Sequence, residues 1–178
     1  MTLAMAGEDA PAFVGMWRRE GEKNVNVSAY LQAHGLTAER AAERASAPYE
    51  QEWRATEADG EFLVLTGRGD GAGPARTLLY PLGEWEEPFK GKSVLFGEEP
   101  GSVFRNTVYE EHPEWGRVHL TESVTPLGWE TTQRRVEGDA MIVERTFEPK
   151  LEDGTAGDRI SSKEIFARVE VFKPMDQR

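Results

Sequence analysis

The sequence predicts an all-β domain, an antiparallel sandwich or barrel with a short helical segment after its first strand. Two observations carry this. From Tyr49 onward, apolar and polar residues alternate in short runs broken by turn residues, the period of half-buried strands. Helix-forming patterns are confined to the stretch between Asn26 and Pro48, so no helices are left to cross between parallel strands.

The first strand contains Phe13, Gly15 and Trp17, spaced to share one face, with two large rings flanking a position that has no side chain. Such a face belongs to the core, and the glycine marks a place where another group approaches closely. A first helix follows, with Asn26 or Ser28 as its cap, Tyr30 and Leu31 on its apolar face, and Gly35 ending it. The segment LTAERAAERASA forms a second helix capped by Thr37 and stopped by Pro48.

The strands then come in series. YEQEWRAT and EFLVLTG are joined by Asp59-Gly60, a pair suited to a tight hairpin turn. The glycine-rich GRGDGAGPA leads to RTLLYPL and GEWEE, and a looser region at 88–101 contains KSVLF. VFRNTVYEE, RVHLTESV, GWETTQRRV, AMIVERTF and ISSKEIFARVEVF complete a set of about ten strands.

At 178 residues with no linker-like interior, the chain reads as one domain over 12–173, with tails at 1–11 and 174–178. A net charge of -11 repels phosphate backbones and anionic membranes, which argues against nucleic acid as a partner. No run reaches the ~18 apolar residues of a membrane span, and residues 1–7 lack the charge and length of a secretory signal. Cytoplasmic residence and a monomer are expected. With no cysteine, disulfides, thiolate metal sites and cysteine nucleophiles are excluded, and His34, His112 and His119 lack metal-ligand spacing. No metal or cofactor is expected, and neither a G-x-S-x-G nor a phosphate-cradling G-x-x-x-x-G-K-[ST] motif occurs.

Several ordered pieces resemble the intracellular lipid-binding proteins of the fatty-acid-binding and retinoid-binding type, whose barrels are of the calycin kind. They are Phe13-x-Gly15-x-Trp17; the spacing of Asn26, Tyr30, Leu31 and Gly35; the alanine-rich segment ending at Pro48; the run YPLGEWEE; RVHL; and WETT followed by Val136-Glu137-Gly138. The resemblance implies an antiparallel barrel of about ten strands, capped by two short helices between the first and second strands, around a cavity for a lipophilic small molecule. With the helices at one end, turn parity sends the loops near 68–74, 88–101, 125–128 and 148–158 to that end. The second and fourth look long for the family and are the expected gate.

In this family carboxylates are usually held by an Arg-x-Tyr pair on the last strand and by a deeper arginine. Here Arg168 stands at the expected place, with Glu170 instead of tyrosine. Alternation leaves Arg168 between two readings, cavity or solvent, because Ile165, Ala167, Val169 and Val171 form the more apolar face. Arg134 and Arg135 are candidates for the deeper arginine, and Arg134, sharing a face with Thr132, is preferred. His119 is a further candidate for ligand contact, against the plainer reading of a structural histidine. The leading function is noncatalytic carriage or sequestration of a fatty-acid-like molecule, an isoprenoid or a pigment, with a carboxylate as its anchoring group. The alternatives are an enzyme on a similar barrel, as in dinoflagellate luciferase, and a protein-interaction module with a filled interior.

Overall fold

The structure, a computed structural model, describes residues 12–67 and 76–169. Strand β1 spans Gly15–Arg19, helix α1 Val27–Ala33 and helix α2 Ala38–Ser46. Then come β2 Glu50–Ala55, β3 Phe62–Gly67, β4 Arg76–Tyr80, β5 Gly83–Phe89, β6 Gly101–His112, β7 Gly116–Thr125, β8 Gly128–Glu137, β9 Ala140–Pro149 and β10 Ile160–Arg168. All pairings are antiparallel, in the order β4-β3-β2-β1-β10-β9-β8-β7-β6-β5. The sheet curls into a half-barrel whose edges, β4 and β5, are not hydrogen-bonded to each other.

The two helices cap one end, as expected. In α1, Val27, Tyr30 and Leu31 lie at the spacing of one helical face, and all three are buried against Phe147 of β9. Ala41 is the buried residue of α2, and Thr37 caps that helix by accepting from the Arg40 backbone N–H at 3.2 Å. Gly35, at φ +105°, turns the chain after α1. The parity of the turns also holds where it is described: Val94, Leu95 and Leu127, from the loops after β5 and β7, pack into the helix cluster.

Three local expectations are corrected. Asn26 precedes α1 at φ 60° but does not cap it; its amide instead donates to the Ser161 carbonyl and ties the helix to β10. Phe13 lies just before β1 rather than in it, although it is buried in the same cluster as Trp17 and accepts the Trp17 indole N–H at 2.9 Å. Strands β2 and β3 pair from Ala55↔Phe62, so the connection runs over 56–61 and is longer than a two-residue turn. Within the looser region, KSVLF forms a compact turn closed by the Ser93↔Gly97 bridge, with its apolar residues drawn into the cap and the barrel mouth. The loop at 68–75 and residues 170–178 lie outside the described residues.

Candidate ligand cavity

The register of the ladders fixes which side chains enter the barrel. On β8, Glu130, Thr132 and Arg134 face inward, and opposite them on β9 stand Phe147, Arg145 and Val143. On β10 the inward set is Ser162, Glu164, Phe166 and Arg168, the reverse of the face its hydrophobicity favours.

The end away from the helices is closed by rings. Phe13, Trp17, Trp53, Phe62 and Phe166 pack there with Met141 and Val143. His119 is completely buried among Phe13, Trp53 and Tyr109, with ring centroids 5.5 to 5.9 Å away. Among the described residues, neither ring nitrogen has a hydrogen-bond partner. Burial, helped by the nearby Arg134 charge, lowers its pKa to about 3, so it is a neutral ring at ordinary pH. His119 does not line the void.

Arg168 shares this floor. Its guanidinium carbon lies 4.1 Å from the centre of the Trp17 ring, and it donates to the carbonyls of Val14 at 2.8 Å and Ala12 at 2.9 Å. The open position at Gly15 is where it passes: a Cβ there would lie 2.6 Å from Arg168 Nη1. The side chain is thus held by the N-terminal turn and does not line the cavity. Glu170 lies outside the described residues.

Above the floor the interior is charged. Arg145 pairs with Glu164 and stands 3.7 Å from Glu130, Arg19 reaches Glu164 at 3.1 Å, and the Tyr30 hydroxyl donates to Glu130. Burial alone would raise the Glu164 pKa, but Arg145 and Arg19 outweigh it and hold the carboxyl below its usual range. Burial and the Glu130 charge push the Tyr30 phenol well up, keeping it a donor. Farther round, Arg105 binds Glu87 at 2.7 Å and Ser123 at 2.7 Å, and Arg76 takes the other Glu87 oxygen. Arg19 also donates to the Arg44 and Ala47 carbonyls, at 2.9 and 2.6 Å, so the same network fastens the end of α2.

Arg134 is different. It is only 8% exposed, lies over Trp53 and Tyr80, and donates from Nη1 to the Tyr80 hydroxyl at 3.1 Å. Among the described residues it has no carboxylate partner, and its Nε has no acceptor. Burial would raise the Tyr80 pKa, but Arg134 and Arg105 more than offset this and lower it. Tyr80 in turn donates to Thr121 at 2.9 Å, which fixes its orientation.

Arg134 and Tyr80 border an interior void of about 120 Å³. A wider recess of about 610 Å³ opens under the helices and shares Tyr30, Tyr49, Thr66, Leu95 and Arg145 with that void. Of the residues singled out from sequence, Arg134 lines the void, His119 and Arg168 are packed below it, and Tyr30 sits at its roof. Sequence reasoning missed Glu130, Arg145 and Glu164. Glu130 was accessible through the face it shares with Thr132 and Arg134, whereas the other two required knowing the pairing register.

The sequence matches no known protein-family profile and no curated protein. Solved structures do match. Echinococcus granulosus fatty-acid-binding protein 1 has a TM-score of 0.62 at 13% identity, over 89% of this chain and 98% of that one. The fluorescent protein UnaG has a TM-score of 0.63 at 17% identity, over 90% and 99%. The Schistosoma mansoni fatty-acid-binding protein in complex with arachidonic acid has a TM-score of 0.61 at 17% identity, over 91% and 99%. At these identities the likeness establishes architecture: the chain has the fold of the fatty-acid-binding proteins.

Proposed function

We propose that this protein reversibly binds an acidic lipophilic small molecule, without chemistry on it, in the void beneath the helices. The acid is held by Arg134 and the Tyr80 hydroxyl, and the apolar body extends into the recess under the cap. The observation that carries this reading is Arg134, a buried cation bordering the void with no anion against it among the described residues. A desolvated guanidinium gains a strong directional pair from a carboxylate, and nothing comparable from an alcohol or ester. The recess of about 610 Å³ is within the size range of small-molecule sites. The neighbours include a fatty-acid-binding protein solved in complex with arachidonic acid, which supports the same ligand class. Access runs between the helices and the loop after β5, whose Leu95 borders both spaces.

Denaturing extraction of the purified protein, with mass spectrometry of what is released, identifies a co-purifying ligand. Titration with a fatty acid and its methyl ester then tests the anchor. Arg134→Leu should weaken the acid by about tenfold or more and leave the ester nearly unchanged. Equal losses would mean altered packing. No binding of either compound to the unaltered protein, with nothing released on extraction, would favour the reading in which the interior is filled and the outer surface acts.

A further inference from the structure

We propose that the outer face of β5 to β9 is a docking groove for a basic amphipathic helix of a partner protein. This does not rest on the proposed ligand site in the interior. A groove of about 850 Å³ lies on this face. Its floor is a continuous cross-strand row in register: Glu86, Phe104, Val124, Trp129 and Glu148 on five successive strands. The three central residues are apolar, with Phe104 57% exposed and Val124 48% exposed. Exposed apolar side chains scattered singly need no explanation, but three in one row inside a concavity do.

Charge selects the occupant. Glu84, Asn106 and Glu122 form the adjacent row. Among the described residues, Glu84, Glu86 and Glu122 have no ion-pair partner, whereas Glu148 is taken by Arg159 at 2.8 Å. The apolar row therefore carries three uncompensated carboxylates along one side and one end, within a chain whose net charge is -11. A second copy of the chain would bring these carboxylates against their own counterparts, and an anionic lipid surface would be repelled. A segment with lysine or arginine flanking an apolar stripe satisfies both halves of the groove. Five strands at the usual spacing give a row about 19 Å long, which is matched by about 13 residues of α-helix. Two or three apolar side chains one turn apart would then rest on Phe104, Val124 and Trp129.

The probe is a labelled, amidated helical peptide of about 14 residues, made of leucine and lysine with the leucines on one face, titrated by fluorescence anisotropy at low and at physiological salt. The unaltered protein should bind it, and a peptide with glutamate in place of lysine should not bind. A scrambled leucine-lysine peptide should bind at least about tenfold more weakly. The combined Glu84→Gln, Glu86→Gln, Glu122→Gln variant should lose about tenfold at low salt and show a flatter salt dependence. Phe104→Ser should lose a similar factor at both salts. Thermal unfolding checks each variant, and Val124→Thr, which keeps the β-branch, replaces Phe104→Ser should the latter not fold. Equal affinity for the ordered and scrambled peptides, unchanged affinity in the glutamine variant, or amide shift changes centred on the helices instead of β5 to β9 would overturn the proposal.

Discussion

The floor of the barrel and its upper interior are built from opposite materials. Around Trp17, Trp53, Phe62 and Phe166, rings fill the space, and the buried polar ring of His119 is left neutral. Above them, Arg19, Arg145, Glu130 and Glu164 form a buried ionic mesh roofed by Tyr30. Ring packing contributes stability through area removed from water, whereas buried ion pairs return little net stability because desolvation offsets their attraction. The floor therefore sustains the fold. The mesh fixes where charge sits, leaving Arg134, on the border between the two, as a buried cation with no carboxylate partner among the described residues.

The largest expected effect tests the floor. Trp17→Ala should cost about 3 to 5 kcal/mol by removing ring contacts and leaving a cavity. Urea denaturation would show it as a lower midpoint at unchanged slope, and an unchanged midpoint would remove β1 from the core.

A smaller effect tests the mesh. Glu164→Gln should cost about 2 kcal/mol at neutral pH, because Arg145 and Arg19 lose a charged partner. The folded-state pKa of Glu164 is depressed, so its contribution is present above the unfolded value of about 4.3 and disappears as pH falls through the lower folded value. The difference between variant and unaltered protein should shrink in that acid window, and a constant difference would mean that packing, not charge, was lost.

His119 gives the floor its own pH signature. Its folded pKa of about 3 lies below the unfolded value, so the unfolded chain takes up the proton first as pH falls. Between about pH 6.5 and the folded value, this costs about 1.4 kcal/mol per pH unit. His119→Phe should flatten the dependence of the urea midpoint between neutral and mildly acidic pH, and an unchanged slope would assign it to other groups such as His34, whose pKa burial also lowers.

The smallest effect is expected at the cap. Thr37→Ala should cost about 0.5 to 1 kcal/mol by freeing the Arg40 N–H. The end of α2 remains held by Arg19 and by Asn24, whose amide donates to Ala45. Urea denaturation of this variant checks the loss, and an unchanged midpoint would mean that the Thr37 cap adds nothing to stability.

Much of the floor was legible in the sequence because its residues obey simple rules. Phe13, Gly15 and Trp17 announce large buried groups and a close approach, and the strand series with its turns gives the ladder order. The mesh was not legible for a physical reason. Alternation assigns charges outward, and on β10 it favours Ile165 and Ala167 as the inner face. The structure places Glu164 inside because Arg145 and Arg19 converge on it from the two strands that flank β10: β9, which precedes it, and β1, whose Arg19 is 145 positions away in sequence. Pairing cancels the cost of burial only after the strands have met. The Asn26 side chain was misread similarly, as a local cap when its partner is Ser161 on β10.

The contact between Arg168 and the Val14 carbonyl joins residues 154 positions apart, and the first strand forms its ladder with the last. Closure of the sheet on β1 therefore has to wait for β10. During synthesis the emerging β1 can pair with β2 on one side, while its other edge, and the Trp17 ring beneath Arg168, remain without their final neighbours. Loop-closure entropy makes such distant joining slow, and an unsatisfied strand edge is a template for pairing with other chains. Ribosome-bound chains truncated before β10 should thus be sensitive to protease and to chaperone capture, with protection gained only when residues 160–168 leave the exit tunnel.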